Sequence, residues 1–377
     1  MVRSRSWRAA AAAVLLMTTT VSAQTWSSCN PLYSTDCPPD AALGMSIHVD
    51  FTQGSVNSFV ASGGTPKYDS AGVEFTVANP GDAPQLTSLF YIMFGRVEFT
   101  MKSAPGAGIV SSLVLQSDDL DEIDMEWLGA DGAQVQTNYF GKGQTTSYNR
   151  GEFNPAANNQ GGFIKYTIDW TPDRIVWSVG GTVIRTLQYN DADGQYPQTP
   201  MQVKFGSWAG GDPSNPPGTI EWAQGPTDYS KGPFTMTVQS VSITDYSTGE
   251  SYKYGDTSGT WESIIANGGA VNGNPDKGGG GPTVTASAAS PTGLSPTVPA
   301  GGIGRGDTAT QTGWPWVKAS GTAPPNAIPS GWRMTPDGKI VPINGGPGPA
   351  AGAPNLLLAA SPLAVGILGA VVGCWLL

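Results

Sequence analysis

Three carboxylates stand two residues apart in the stretch Asp121-Glu122-Ile123-Asp124-Met125-Glu126-Trp127-Leu128-Gly129. In a β-strand successive side chains point to opposite faces, so Glu122, Asp124 and Glu126 share one face. Ile123, Met125 and Trp127 share the other, which suits a buried core. Crowding three acids on one face raises at least one pKa, a cost a protein tolerates mainly where it needs a proton donor. Two carboxyls flanking a sugar bond, one ionised and one protonated, are what glycoside cleavage requires. The plain alternative is a solvated acidic face or a weak cation site.

Cleavage of a glycan also needs flat apolar surface for sugar rings and polar groups that fix register. The segment Lys204-Phe205-Gly206-Ser207-Trp208-Ala209-Gly210-Gly211 offers both. Read as a strand, it puts Lys204, Gly206 and Trp208 on one face, with Gly206 leaving room for a ligand to approach. Trp208 is a sugar platform or a core aromatic, and its flanking glycines favour the platform. In Thr219-Ile220-Glu221-Trp222, read as a strand, Thr219 and Glu221 share a face and Trp222 falls on the core side. Gln116, before the acidic strand, and Asn138 and Tyr139, after it, either line a cleft or are ordinary surface. Trp170 and Trp177 sit in apolar alternation and read as core.

These residues need a scaffold. From Leu43 to about Trp261 short period-two runs, such as Arg96-Val97-Glu98-Phe99-Thr100-Met101 and Tyr166-Thr167-Ile168-Asp169-Trp170, alternate with Gly, Pro, Asn and Asp clusters. Such runs are strands. No amphipathic helical pattern interrupts them, which predicts an all-β sandwich over residues 24–267. Residues 268–344 lose the pattern and turn rich in Gly, Ser, Thr and Pro, the composition of a disordered stalk. Two tryptophan islands, Trp314-Pro315-Trp316 and Trp332-Arg333-Met334, stand in it without an evident role.

Both ends carry addresses. Arg3, Arg5 and Arg8 precede an apolar run and Val21-Ser22-Ala23, the pattern of a signal peptide over residues 1–23. Leu356 to Leu377 is apolar with no charge after it, and small residues lie upstream. That is the pattern of a GPI-attachment signal, preferred to a spanning helix because no Lys or Arg follows it. Asn344 is the expected attachment residue, with Gly345 or Gly346 as alternatives and 345–377 removed. Cys374 would leave with the tail, so Cys29 and Cys37 remain as a disulfide pair in an oxidising compartment. The single histidine, His48, makes a His-based triad improbable and reads as structural. A net charge of −10 with no basic cluster excludes nucleic acid as a partner.

The acidic strand resembles the Glu-x-Asp-x-Glu signature of glycoside hydrolase family sixteen. Cys29-Asn30-Pro31, Gly106-Ala107-Gly108-Ile109-Val110-Ser111-Ser112, Leu115-Gln116-Ser117-Asp118-Asp119 and Trp208-Ala209-Gly210-Gly211 further resemble the fungal Crh-type cell-wall transglycosylases. The resemblance implies a β-jelly-roll sandwich with a concave glycan-binding cleft, a chitin donor, a β-glucan or chitin acceptor, and often a GPI anchor at the membrane. It implies Glu122 as nucleophile, Glu126 as general acid/base, Asp124 as their hydrogen-bonding partner, and Lys204, Trp208 and Thr219 as chitin contacts. A monomer without metal or cofactor is expected. Cα atoms four residues apart on a flat strand lie about 13 Å apart, against carboxyl separations of about 5–5.5 Å in retaining enzymes. Strand curvature and side-chain reach must close that gap. A hydrolase on the same scaffold and a non-catalytic wall lectin are the alternatives.

Overall fold

A computed structural model describes residues 27–144 and 149–277, together with the backbone at 283–284, 332–334 and 340–342. Two β-sheets stack on each other. The first runs in the order Glu152–Pro155, Gln134–Phe140, Glu122–Leu128, Ile109–Ser117, Met201–Ala209, Gln85–Ile92 and Phe59–Ser62, with every neighbour antiparallel. The second centres on Gly95–Lys102 between Ile164–Trp170 and the long strand Phe234–Asp245. This is the all-β sandwich expected from the alternating runs.

The alternation explains the layering. Along Gly95–Lys102 buried and half-buried residues alternate without a break, so Val97, Phe99 and Met101 enter the space between the sheets. The acidic strand sends Ile123, Met125 and Trp127 into the same space. Phe205 sits at the centre, with its ring 5.0 Å from Phe99, 5.3 Å from Phe59 and 5.6 Å from Phe75, centroid to centroid. Such tilted and edge-on pairs are favourable beyond the area they bury. Trp170 and Trp177 are wholly buried, as their patterning suggests. A register irregularity between Gln202 and Lys204 marks a bulge against Gln85–Ile92, and bulges bend and twist a strand.

His48 lies in the second sheet, where Nδ1 meets Ser242 Oγ at 2.8 Å, away from the acidic face. Cys29 and Cys37 form the disulfide, with Cα atoms 5.6 Å apart. Pro217–Trp222 is a short α-helix where a strand was expected. Pro216 and Pro217 explain it: a proline cannot donate to a sheet ladder, while its fixed φ suits the first turn of a helix.

Hydrogen bonding continues past the expected edge at residue 267. Asn274 donates from Nδ2 to the Asp245 carbonyl at 2.6 Å and is buried. Within the tract read as stalk, Trp332–Met334 pairs antiparallel with Ile340–Pro342, and Thr283–Val284 pairs parallel with Ser46–Asp50. The second tryptophan island is therefore part of a strand pair. The signal segment, the rest of the tract and the tail with Asn344 lie outside the described residues.

Candidate active site

Strand register assembles the site. Residues directly opposite each other on neighbouring strands point to the same side. Glu122 stands opposite Phe140 on one neighbour and Gln116 on the other; Asp124 opposite Asn138 and Val114; Glu126 opposite Gln136 and Ser112. One strand further, Gln202 follows Gln116, Lys204 follows Val114, Gly206 follows Ser112 and Trp208 follows Val110. Residues from four strands thus form one polar floor on the side facing away from the core.

The three carboxyls are all buried, with Glu126 the most accessible at 5%. Ser112 Oγ donates to Glu126 Oε1 at 2.9 Å, and Gln116 Nε2 donates to Glu122 Oε2 at 3.1 Å. Asp124 shares a hydrogen bond with Glu122. Two carboxyls bond in this way only when one holds a proton, and burial pushes Asp124 up to about 7 against pulls from Glu122 and Arg185. Burial also holds Glu126 well above the ordinary carboxylate value, and the charge of Asp124 adds to the effect. The face therefore keeps protons at a pH where free carboxyls have lost them. That is the poise of a proton donor set beside an ionised partner.

Lys204 belongs to the floor. Its ammonium donates to Gln116 Oε1 at 2.8 Å, and burial lowers it to about 8 while Asp118 and Glu122 pull it back up. Gln116 therefore joins Lys204 to Glu122. Asn138 lies beside Asp124, half-buried.

Trp208 lies on the floor but is not an open platform. It is 1% exposed and donates from Nε1 to Ser112 Oγ at 3.1 Å. Trp222 stacks over it with ring centroids 6.0 Å apart and planes at 25°. Trp222 is half-buried and its Nε1 donates to Gln136 Oε1 at 3.1 Å. The expected order is thus reversed: Trp222, read as core, is the more accessible ring. With Val110, Val114, Leu128 and Ala223 the two indoles form a separate apolar cluster on the site side of the sheet.

Two further expectations are corrected. Tyr139 pairs with Ile123, faces the core and lies under the Arg185 guanidinium, 5.5 Å from its ring centre. Its period-two position turns it away from the acids. The space beside Gly206 is filled by the chain itself, since a Cβ there would stand 2.2 Å from the Pro84 carbonyl oxygen. Thr219 is buried in the short helix that carries Trp222. Ser112 and Gln136 were not foreseen; each is a polar residue inside a strand, and only cross-strand register reveals that it faces a glutamate. Among the described residues no group of three or more His, Cys, Asp or Glu side chains is arranged to hold a metal.

Known proteins share this arrangement of chain. The model of glycosyl hydrolases family 16 matches residues 45–224. Crh-like protein 4 of Botryotinia fuckeliana is 62% identical over 89% of this chain and 91% of its own. Crh-like protein 4 of Aspergillus fumigatus is 52% identical over 85% of this chain and 73% of its own. The solved structure of a Crh5 transglycosylase in complex with NAG is 55% identical, covers 63% of this chain and all of its own, and superposes with a TM-score of 0.62. Its sequence, its jelly-roll sandwich and the paired carboxyls on one sheet face agree: the chain belongs to glycosyl hydrolase family 16, among the Crh-like proteins.

Proposed function

We propose that this protein is a retaining transglycosylase that cleaves chitin and passes the chain to a β-glucan or chitin acceptor in a fungal wall. The observation that carries the reading is the buried Glu122–Asp124–Glu126 face, where burial keeps carboxyls protonated to a higher pH than free ones. Its likeness to a Crh5 transglycosylase seen with NAG supports the choice of donor.

Glu126 protonates the leaving sugar oxygen while the Glu122 carboxylate attacks the anomeric carbon, giving a glycosyl-enzyme. The now ionised Glu126 takes the proton of an acceptor hydroxyl, whose oxygen displaces Glu122 and joins the two glycans. Asp124 holds Glu122 by its shared proton. Lys204, Gln116 and Asn138 line the floor, and Trp222 over Trp208 offers the aromatic face for a sugar ring.

The chain enters the secretory pathway through residues 1–23 and is tethered to the membrane by a GPI anchor at Asn344, with residues 268–344 as spacer. Release from cells by a phosphatidylinositol-specific phospholipase tests the anchor. The catalytic reading is tested by incubating the purified protein with chitin oligosaccharides and a fluorescent β-1,3-glucan oligosaccharide, then weighing the products. Hybrid masses that vanish in Glu122→Gln support transfer. Shortened chitin alone makes the protein a hydrolase, and no product from either leaves a binding role.

A further inference from the structure

The two glutamates are each addressed by a two-step hydrogen-bond relay that starts on the same strand, Met201–Ala209. Trp208 Nε1 donates to Ser112 Oγ at 3.1 Å, and Ser112 Oγ donates to Glu126 Oε1 at 2.9 Å. Lys204 Nζ donates to Gln116 Oε1 at 2.8 Å, and Gln116 Nε2 donates to Glu122 Oε2 at 3.1 Å. All six side chains are buried. An indole N–H and an ammonium can donate but cannot accept. Trp208 therefore occupies the acceptor side of the Ser112 hydroxyl and leaves its hydrogen for Glu126. Lys204 fixes the Gln116 amide with its oxygen toward the ammonium and its NH₂ toward Glu122. Neither middle residue can turn round without setting donor against donor.

We infer that Ser112 and Gln116 are positioning residues that assign different work to the two glutamates, each locked in its donating sense by a neighbour that cannot accept. The inference rests on the transglycosylase reading above. The relays differ in charge. The one to Glu122 begins at a cation, so it favours a carboxylate there, the form that attacks. The one to Glu126 is neutral throughout and occupies Oε1 alone, which confines the acidic proton to Oε2. In the first step the Oε2 proton passes to the glycosidic oxygen as its bond to the anomeric carbon breaks and the Glu122–carbon bond forms. The other charged groups around the pair are Asp124 between them, Asp118 beside Lys204, and Arg185, whose field reaches Asp124.

Two donors separate the relays. One is a chitin oligosaccharide, whose sugar leaving group needs a proton. The other is its dinitrophenyl β-glycoside, whose leaving group departs without one. The quantity compared is kcat/KM, which reports the first chemical step. Ser112→Ala is expected to lose about tenfold or more on the sugar donor and less than about threefold on the dinitrophenyl donor. Ser112→Thr restores the sugar donor, and Trp208→Phe, which keeps a ring but loses the N–H, follows the Ser112→Ala pattern. Gln116→Ala is expected to lose about tenfold or more on both donors alike. It is also expected to move the acidic limb of kcat/KM on the dinitrophenyl donor to higher pH, which a structural loss would not do. A purely structural role would lower both donors together at every position. Equal losses on the two donors for Ser112→Ala, with a wild type active on both, overturn the relay. A wild type that turns over neither donor overturns the transglycosylase reading instead. Thermal melts identify any variant that fails to fold, and Ser112→Thr, the mildest change, keeps the comparison available.

Discussion

Asp124→Asn isolates what the middle carboxyl contributes. Asp124 is buried between Glu122 and Glu126, and burial pushes it from 3.8 to about 7. Below that value the Asp124–Glu122 pair holds the proton of their shared hydrogen bond. Above it the bond loses its proton and a second anion stands beside Glu122. A hydrogen bond to a charged acceptor contributes about 1.5–3 kcal/mol, a factor of roughly 10 to 150 in rate. Transfer activity should therefore begin to fall as the pH rises through about 7, and loss of the Glu126 proton adds to the fall. An asparagine amide donates to Glu122 at every pH and does not titrate. The variant should keep most activity at pH 5 and lack the fall that begins near 7, leaving a single ionisation in its basic limb. The assay is kcat/KM for hybrid formation from pH 4 to 9 in both proteins. An unchanged basic limb in Asp124→Asn would refute the assignment.

The same group predicts a stability effect of definite sign. Its folded pKa is raised, so the folded state holds a proton that the unfolded chain gives up. The resulting stabilisation is complete below about 3.8 and is lost as the pH rises through about 7. The difference corresponds to about 4 kcal/mol at most. Asp124→Asn should make the melting temperature fall less steeply with pH across that window, measured by calorimetry, because the other buried acids still titrate there.

Three further outcomes follow from particular contacts. Trp222→Ala should raise KM for chitin oligosaccharides about tenfold or more with a smaller change in kcat, because the half-buried ring lies over Trp208 at the site; a kcat-only effect would count against it. Lys142→Met should destabilise by about 3–5 kcal/mol in urea unfolding, since it leaves the buried carboxyls of Asp119 and Asp121 without the ammonium that stands 3.0 and 2.6 Å away. Gly206→Ala should cost at least about 1–3 kcal/mol, because its Cβ would stand 2.2 Å from the Pro84 oxygen and 2.7 Å from Gln85 Cα; a neutral effect would mean the strands separate freely there.

What the sequence made legible was whatever depends on one segment at a time. Period two along Glu122–Leu128 separated the acids from Ile123, Met125 and Trp127 without reference to any other strand. The Cys29–Cys37 pair needed only a count. What stayed hidden depends on register between segments distant in the chain. Nothing in Ser112 itself says that it faces Glu126, and Gln116 is tied to Lys204 across 88 residues of chain. Tyr139 was misread for the converse reason: it is one residue from Asn138, and a single step along a strand reverses the face. The helix at Pro217–Trp222 was readable from its two prolines, and taking it as a strand put Trp222 on the wrong side.

The acidic composition and the buried carboxyls belong to one design. The chain carries 29 acidic residues against 19 basic ones, and only some of the acids the core takes in have a cation beside them. Lys142 serves Asp119 and Asp121, and Lys204 lies near Asp118 and Glu122. At some of these acids and elsewhere, the proton itself is a counterion. Burial raises Asp118 and Asp121 to about 6, Asp124 and Asp245 to about 7, and Asp40 and Glu126 well above their ordinary values. Every one of these groups favours the folded state in acid and opposes it as the pH rises past its folded value. A sheet face that keeps Glu126 protonated, as the proposed mechanism requires, therefore asks nothing unusual of this fold, because the same economy of protons holds its far end together around Asp40, Asp118 and Asp121. The acid poise of the active site is a local case of how the whole domain balances its charge.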